Sequence, residues 1–199
     1  MYTLIHALIL SSVALALVSG AVQPSAGDPV TDPEAYAVYA AIVPNQWPIR
    51  VAKARRLAVS ESTGYLAECL PSGGPMETTW KPVLESFKRE NANPRRILSD
   101  RQIGVPYVVL AAEATQQFFV GSSDLNASWQ RFYEAHPESG GITSWSAVGF
   151  DADKRRALVY VGHGCGSLCG EGHYVFMEKQ GSAWRPIELP KVKSCFVVS

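Results

Sequence analysis

Neither charge is in excess in this chain: 18 Lys and Arg stand against 18 Asp and Glu, for a formal net charge of zero. Nucleic acids and anionic membrane surfaces are met by a net basic footprint, so the balance argues against both as partners. The basic pairs Arg55-Arg56 and Arg95-Arg96 and the triplet Lys154-Arg155-Arg156 are short and separated, and read as solvated ends of elements. Beyond the N-terminus there is no hydrophobic run of the ~20 residues a spanning helix needs. Catalytic signatures are missing as well. No nucleophile elbow, phosphate loop or HExxH pattern occurs, so a hydrolase reading has no triad to point to.

What is present begins with an export signal. An apolar run from Leu4 to Val18, the small residues Ser19, Gly20 and Ala21, and then a stretch with Pro24, Gly27 and Asp28 follow the layout of a secretory signal peptide. No basic residue precedes the run, so an uncleaved anchor is the alternative. The expected organisation is a signal peptide over residues 1–21, a linker over 22–30, and one domain over 31–199, exported to the periplasm or beyond the cell. Four cysteines in an oxidising compartment make disulfides the default. Three pairings are possible, and the simplest joins Cys165 to Cys169 and Cys69 to Cys195.

The hydrophobic pattern changes period along the chain. Thr31 and Glu34 have capping-box spacing, Pro33 suits a first turn, Tyr36, Tyr39, Ala40 and Val43 recur at helical spacing, and Pro44 should end the run. A strand is expected at Arg56–Ser60. A helix follows from Thr78 or Thr79 with Trp80, Val83, Leu84 and Phe87 on one face, then a strand over residues 105–112 and a helical EATQQFF. Asp124 is a good N-cap for a helix carrying Trp129, Phe132 and Tyr133 and ending at His136-Pro137. The aromatic stripes at Tyr36/Tyr39 and Trp129/Phe132/Tyr133 read as core faces. From Gly140 the pattern is extended, with strands at ITSWSAVGF, RALVYV, HYVFMEK and AWRPIEL. Short connections between successive strands favour antiparallel pairing. The expected fold is α+β, a C-terminal antiparallel β-meander with N-terminal and central helices packed on one face.

Within the meander lies GHGCGSLCGEGH, Gly162 to His173. If the hairpin closes with Cys165 opposite Cys169, then His163 opposes Glu171 and Val161 opposes His173, and strand alternation puts all six on one face. The other face would be Gly162, Gly164, Gly170 and Gly172 alone. Such a register asks Leu168 for a left-handed conformation that a branched residue adopts poorly. Four readings compete. The structural one is a glycine-rich tip with a local disulfide, favoured by the compartment. A metal reading uses His163, Cys165, Cys169 and His173, residue types that suit zinc or copper, although a disulfide would remove two ligands. A redox pair would need a low-pKa thiol, and neither a helix N-terminus nor an adjacent base supplies one. In the fourth, backbone N–H groups of the loop grip a ligand.

DPEAYAVYAAI, then RLAVSEST, then WQRFYEAHPESGGITSWSAVGFDADKRRALVYVGHGCGSLCGEGHYVFMEKQGSAW resemble a group of uncharacterised exported bacterial proteins. These share an ExYxVYxA helix, a WxxFYxxxP helix, a VGFxxxxxxALVYV hairpin and a GxLxGxGxYxxxxK return strand. The resemblance covers most of the chain after the leader and implies fold and export but no activity. In that group the tip cysteines are not a fixed feature, which weighs against the metal and redox readings. The expectation is a disulfide-stabilised exported binding or structural module with no cofactor, its ligand, partner and oligomeric state left open. The alternative is a small metal-binding or thiol-redox protein centred on the tip.

Overall fold

The computed structural model describes residues 27–46 and 55–198. The expected signal peptide, and residues 22–26 of the expected linker, lie outside the described residues. The linker's end is not loose: Val30 N donates to Arg96 O at 2.9 Å and Arg96 N donates to Asp28 O at 3.0 Å, and the Val30 side chain is buried.

Helix α1 spans Pro33–Gln46. Its cap is Asp32 rather than Thr31, because Asp32 Oδ1 accepts from Glu34 N at 3.0 Å. Glu34 therefore does not close a capping box. Its carboxylate instead accepts from Lys179 Nζ at 3.0 Å and Trp184 Nε1 at 2.9 Å, which ties the helix to distant strands. Pro44 does not end the helix. It sits exposed in the last turn, where one missing N–H is tolerable.

Strands β1 (Arg56–Ser60), β2 (Tyr107–Leu110), β3 (Ser139–Trp145), β5 (Arg156–Gly166), β6 (Cys169–Gln180) and β7 (Ala183–Ile187) form one mixed sheet in the order β2-β1-β3-β5-β6-β7, with β4 (Gly149–Phe150) on β5 and β8 (Val197–Val198) on β6. The meander from β3 onward is antiparallel, while β1 runs parallel to both its neighbours. Helices α3 (Ala112–Phe119) and α4 (Leu125–Ala135) make the crossover from β2 to β3 over β1. Asp124 caps α4 by accepting from Ala127 N at 3.0 Å.

The fold is α+β, but the helices do not share one face. Alpha-helix α1 covers one side, where Tyr39 stacks on Trp145 at 4.5 Å above Val59, Val159, Val161 and Met177. On the other side α2 (Lys81–Glu90) packs Val83 and Phe87 against Leu158, Tyr160 and Phe176, and α3 and α4 pack Phe118 and Phe132 against Ala58. The reason is legible in Ala157–Val161, an unbroken apolar run, since a strand buried on both faces does not alternate.

The single strand expected over ITSWSAVGF is interrupted between β3 and β4. There Ala147 N donates to Asn91 Oδ1 at 2.8 Å and Ala147 O accepts from Asn91 Nδ2 at 2.9 Å, so a buried asparagine after α2 replaces a strand partner. Ser146 Oγ accepts from Tyr160 N at 2.8 Å beside it.

Because its bonds to Lys179 and Trp184 hold the Glu34 carboxyl below its ordinary value of 4.5, Glu34 contributes stability above that pH. The contribution is lost as the pH falls through the lowered value. Glu34→Gln should cost about 1–3 kcal/mol at neutral pH and shrink the acid-side loss of stability, read from urea unfolding at a series of pH values.

Candidate functional site

The hairpin of β5 and β6 closes through Ser167 and Leu168, with Gly166 opposite Cys169 and Gly164 opposite Gly170. Cys165 is the extra residue of a β-bulge and does not oppose Cys169, so the expected three-residue loop is a two-residue turn. The bulge removes the demand on Leu168, which is not among the left-handed residues. Below the bulge the pairs are His163 with Glu171 and Val161 with His173. Cys165 and Cys169 lie at disulfide distance, with Cα atoms 5.0 Å apart, and so do Cys69 and Cys195, 5.1 Å apart. A bond between these two sulfurs would leave the tip no thiolate to offer zinc or copper. Among the described residues, no three His, Cys, Asp or Glu side chains are arranged to hold a metal ion.

The glycine face is where α4 docks. A Cβ on Gly164 would stand 3.4 Å from the Trp129 ring, one on Gly162 would meet Ser144 Oγ, and one on Gly172 would fall on the Tyr160 hydroxyl. Tyr133 Oη donates to Cys165 O at 3.0 Å and Ser167 Oγ donates to Asn126 Oδ1 at 2.7 Å. Asn126, Trp129 and Tyr133 follow one another at i, i+3 and i+7 along α4, so one helical stripe braces the whole tip.

The opposite face gathers His163, Glu171 and His173 with Thr143 of β3 and Ile42 of α1 around a cavity of about 20 Å³. That is room for one water and not for an organic ligand. His163 Nδ1 and Thr143 Oγ1 are 3.2 Å apart and share a hydrogen whose direction follows the imidazole tautomer. His173 lies against the Phe196 ring, with centroids 5.6 Å apart. Burial holds both imidazoles below their ordinary 6.5, and the Glu171 carboxylate partly opposes it.

The C-terminal tail completes the site. From Cys195 it runs along β6, where Val197 and Val198 of β8 pair with Gly172 and Glu171. Between tail and tip opens a hollow of about 270 Å³ lined by His163, the two tip cysteines, Glu171, Leu168, Phe196 and Val198. Leu168 is 88%, Val198 68% and Phe196 61% exposed, placing around this hollow three of the five exposed large hydrophobic residues among the described residues. Sequence reasoning reached His163, Cys165, Cys169, Glu171 and His173, and missed Thr143, Phe196 and Val198. Their signal was indirect: the apolar Phe196-Val197-Val198 follows Cys195, and only the pairing of Cys195 says where it lies.

His136, at the end of α4, packs between Phe118 and Phe132 as a helix-end residue. The aromatic stripes of α1 and α4 lie on opposite faces of the sheet and do not line a common pocket. Comparison with protein families, curated proteins and solved structures finds no match for the chain, so the reading of the site stands on its geometry.

Two expectations follow from this geometry. Gly172→Ala should destabilise the protein by about 1–3 kcal/mol, because the buried Tyr160 ring must move, whereas Gly164→Ala should cost well under half as much, with its methyl in ordinary contact with Trp129. Denaturant midpoints of the two variants compare them directly. The second concerns acid. Histidines whose pKa is depressed on folding stabilise the fold above 6.5, and the unfolded chain takes up protons first as the pH falls below it. Stability should therefore decline on acidification from pH 6.5, and the His163→Gln/His173→Gln double variant should flatten that decline in the same unfolding series.

Proposed function

We propose that this protein is an exported, disulfide-braced binding module whose contact surface is the tip of the β5–β6 hairpin. One observation carries the reading: Leu168, Phe196 and Val198 stand exposed around a hollow whose wall also holds the His163 ring and the Glu171 carboxylate. Isolated apolar side chains on a surface need no explanation, but a cluster of large ones beside convergent polar groups is what an interaction site offers. The bulge, the Cys165–Cys169 pair and the α4 stripe all immobilise this tip, so it would meet a partner with little ordering to lose. Export is supported by the apolar run from Leu4 to Val18 with small residues after it, and by four cysteines placed at disulfide distance in pairs. The partner that fits presents an apolar side chain to the hollow and a hydrogen-bond donor to Glu171.

Anilinonaphthalene sulfonate, a fluorescent apolar probe, tests the surface. Its saturable emission with the oxidised protein should weaken about tenfold in affinity in Leu168→Ser and in Phe196→Ser, the scale set by the roughly 1.5–3 kcal/mol of burying one large apolar side chain. Unchanged probe binding in both variants, with far-ultraviolet circular dichroism unchanged, rejects the tip as the contact surface. Native mass spectrometry on the same sample separates the metal and thiol alternative at His163, Cys165, Cys169 and His173. A metal-free protein lighter by four hydrogens than its reduced form supports the module reading; free tip thiols with bound zinc or copper overturn it.

A further inference from the structure

A second, larger cleft of about 400 Å³ lies away from the hairpin tip, between the start of α1 and the exposed edge of α2. Its floor is apolar, formed by the buried Val30, Ala147 and Val148 with Phe150 beside them. Three cations stand on its walls, and two are matched: Lys154 Nζ lies 2.7 Å from Asp32 Oδ2, and Arg95 Nη1 lies 2.6 Å from Glu90 Oε2. The remaining acid, Asp151, accepts from the backbone N–H groups of Arg155 at 2.7 Å and Arg156 at 3.0 Å and faces the Arg156 guanidinium at 3.9 Å. The third cation is Arg89. Its side chain is 69% exposed, and among the described residues its one carboxylate neighbour is Glu90 at 3.8 Å, already engaged by Arg95.

Ser86 supplies an independent observation. Its residue is 7% exposed, and its Oγ accepts from Phe150 N and from Arg89 Nη2, both at 3.2 Å. A hydroxyl has two acceptor positions and one donor, so both acceptor positions are filled. Among the described residues its proton has no acceptor. A buried donor without an acceptor, directly bonded to the least compensated guanidinium of an open cleft, is an arrangement that an anionic oxygen would complete.

We propose that this cleft binds a small organic carboxylate. One carboxylate oxygen accepts from the Ser86 hydroxyl and the other from the N–H groups that Arg89 leaves unused, while the apolar part of the ligand lies over Val148 and Phe150. One negative charge matches the one guanidinium that only shares a carboxylate, Glu90, with Arg95, and the planar fork of guanidinium N–H groups suits a carboxylate. Phosphate carries about one and a half charges at neutral pH and would stand against Asp32 and Glu90 without cations left to offset the excess.

Titration of the full-length oxidised protein followed by amide NMR tests the assignment. Isocaproate represents a free acid and N-acetyl-L-leucine the C-terminal carboxylate of a peptide; N-acetyl-L-leucinamide and inorganic phosphate are the controls. Saturable shifts at Ser86 to Glu90 are expected with at least one of the acids at millimolar concentration, and the acid that binds more tightly names the source. Arg89→Gln, a change at an exposed side chain, should weaken that binding at least ~10-fold, and Ser86→Ala about fivefold. Leu168→Ser, at the other site, should leave it unchanged. The proposal is overturned if neither acid shifts these amides, if the uncharged amide or phosphate binds as tightly as the acids, or if the folded Arg89→Gln variant binds like the parent.

Discussion

The base of the β5–β6 hairpin, Ala157–Val161 against Tyr174–Met177, is buried on both faces, and the neighbouring elements take their positions from that constraint. Ten residue pairs run from Arg156 and Glu178 to Gly166 and Cys169, so the two strands form a ribbon long enough to serve three neighbourhoods in succession. Near its base, α1 packs on one side and α2 on the other, against Val159 and Met177 in one direction and Leu158 and Phe176 in the opposite one. Burying apolar area on two faces supplies the main stabilising term of the domain. The Glu34 carboxylate then fixes how far α1 slides, by accepting from Lys179 of β6 and Trp184 of β7.

Toward the tip the same ribbon changes chemistry without changing geometry. Large side chains give way to glycine on the face covered by α4 and by the Tyr160 ring, because Trp129 lies over Gly164 and the Tyr160 hydroxyl over Gly172. On the other face the small cavity beside α1 is walled by two imidazoles whose burial holds them below their ordinary pKa, with the Glu171 carboxylate partly opposing it. The tail, carried back by Cys195, closes the exposed edge of β6 and leaves its apolar side chains outward. A hairpin end would ordinarily fray, since few buried contacts hold it. Here the bulge, a cysteine pair at disulfide distance, Tyr133 and Asn126 hold it from both sides.

How much of this could be read in advance depends on the range of the interaction. The pairs His163–Glu171 and Val161–His173 follow from strand period and a short connection, and both were legible. The bulge at Cys165 was not, because a one-residue irregularity has the same local composition as a regular turn. Asp124 shows itself as a helix cap through its own type and position, and so it was found. Asp32 was passed over for Thr31, since both can cap and the choice fell to Lys154, 122 residues away, which holds the other carboxylate oxygen. Ala157–Val161 announced a strand, and its lack of alternation carried the second buried face that the expectation of helices on one face overlooked.

Local patterns in the chain were enough to specify the class of the domain, the meander, the order of its strands from β5 to β7 and the faces of its helices, because each is decided by neighbours within a few residues. The tertiary structure decided what lies across those faces. It set α1 opposite α2, laid Trp129 on Gly164, and brought Thr143 and Phe196 to the two histidines. It also placed Ser86 and Arg89 over a floor drawn from Val30 and Val148. These contacts join residues far apart in the chain, and nothing in a local window records them, because they exist only once burial of apolar surface has brought the elements together.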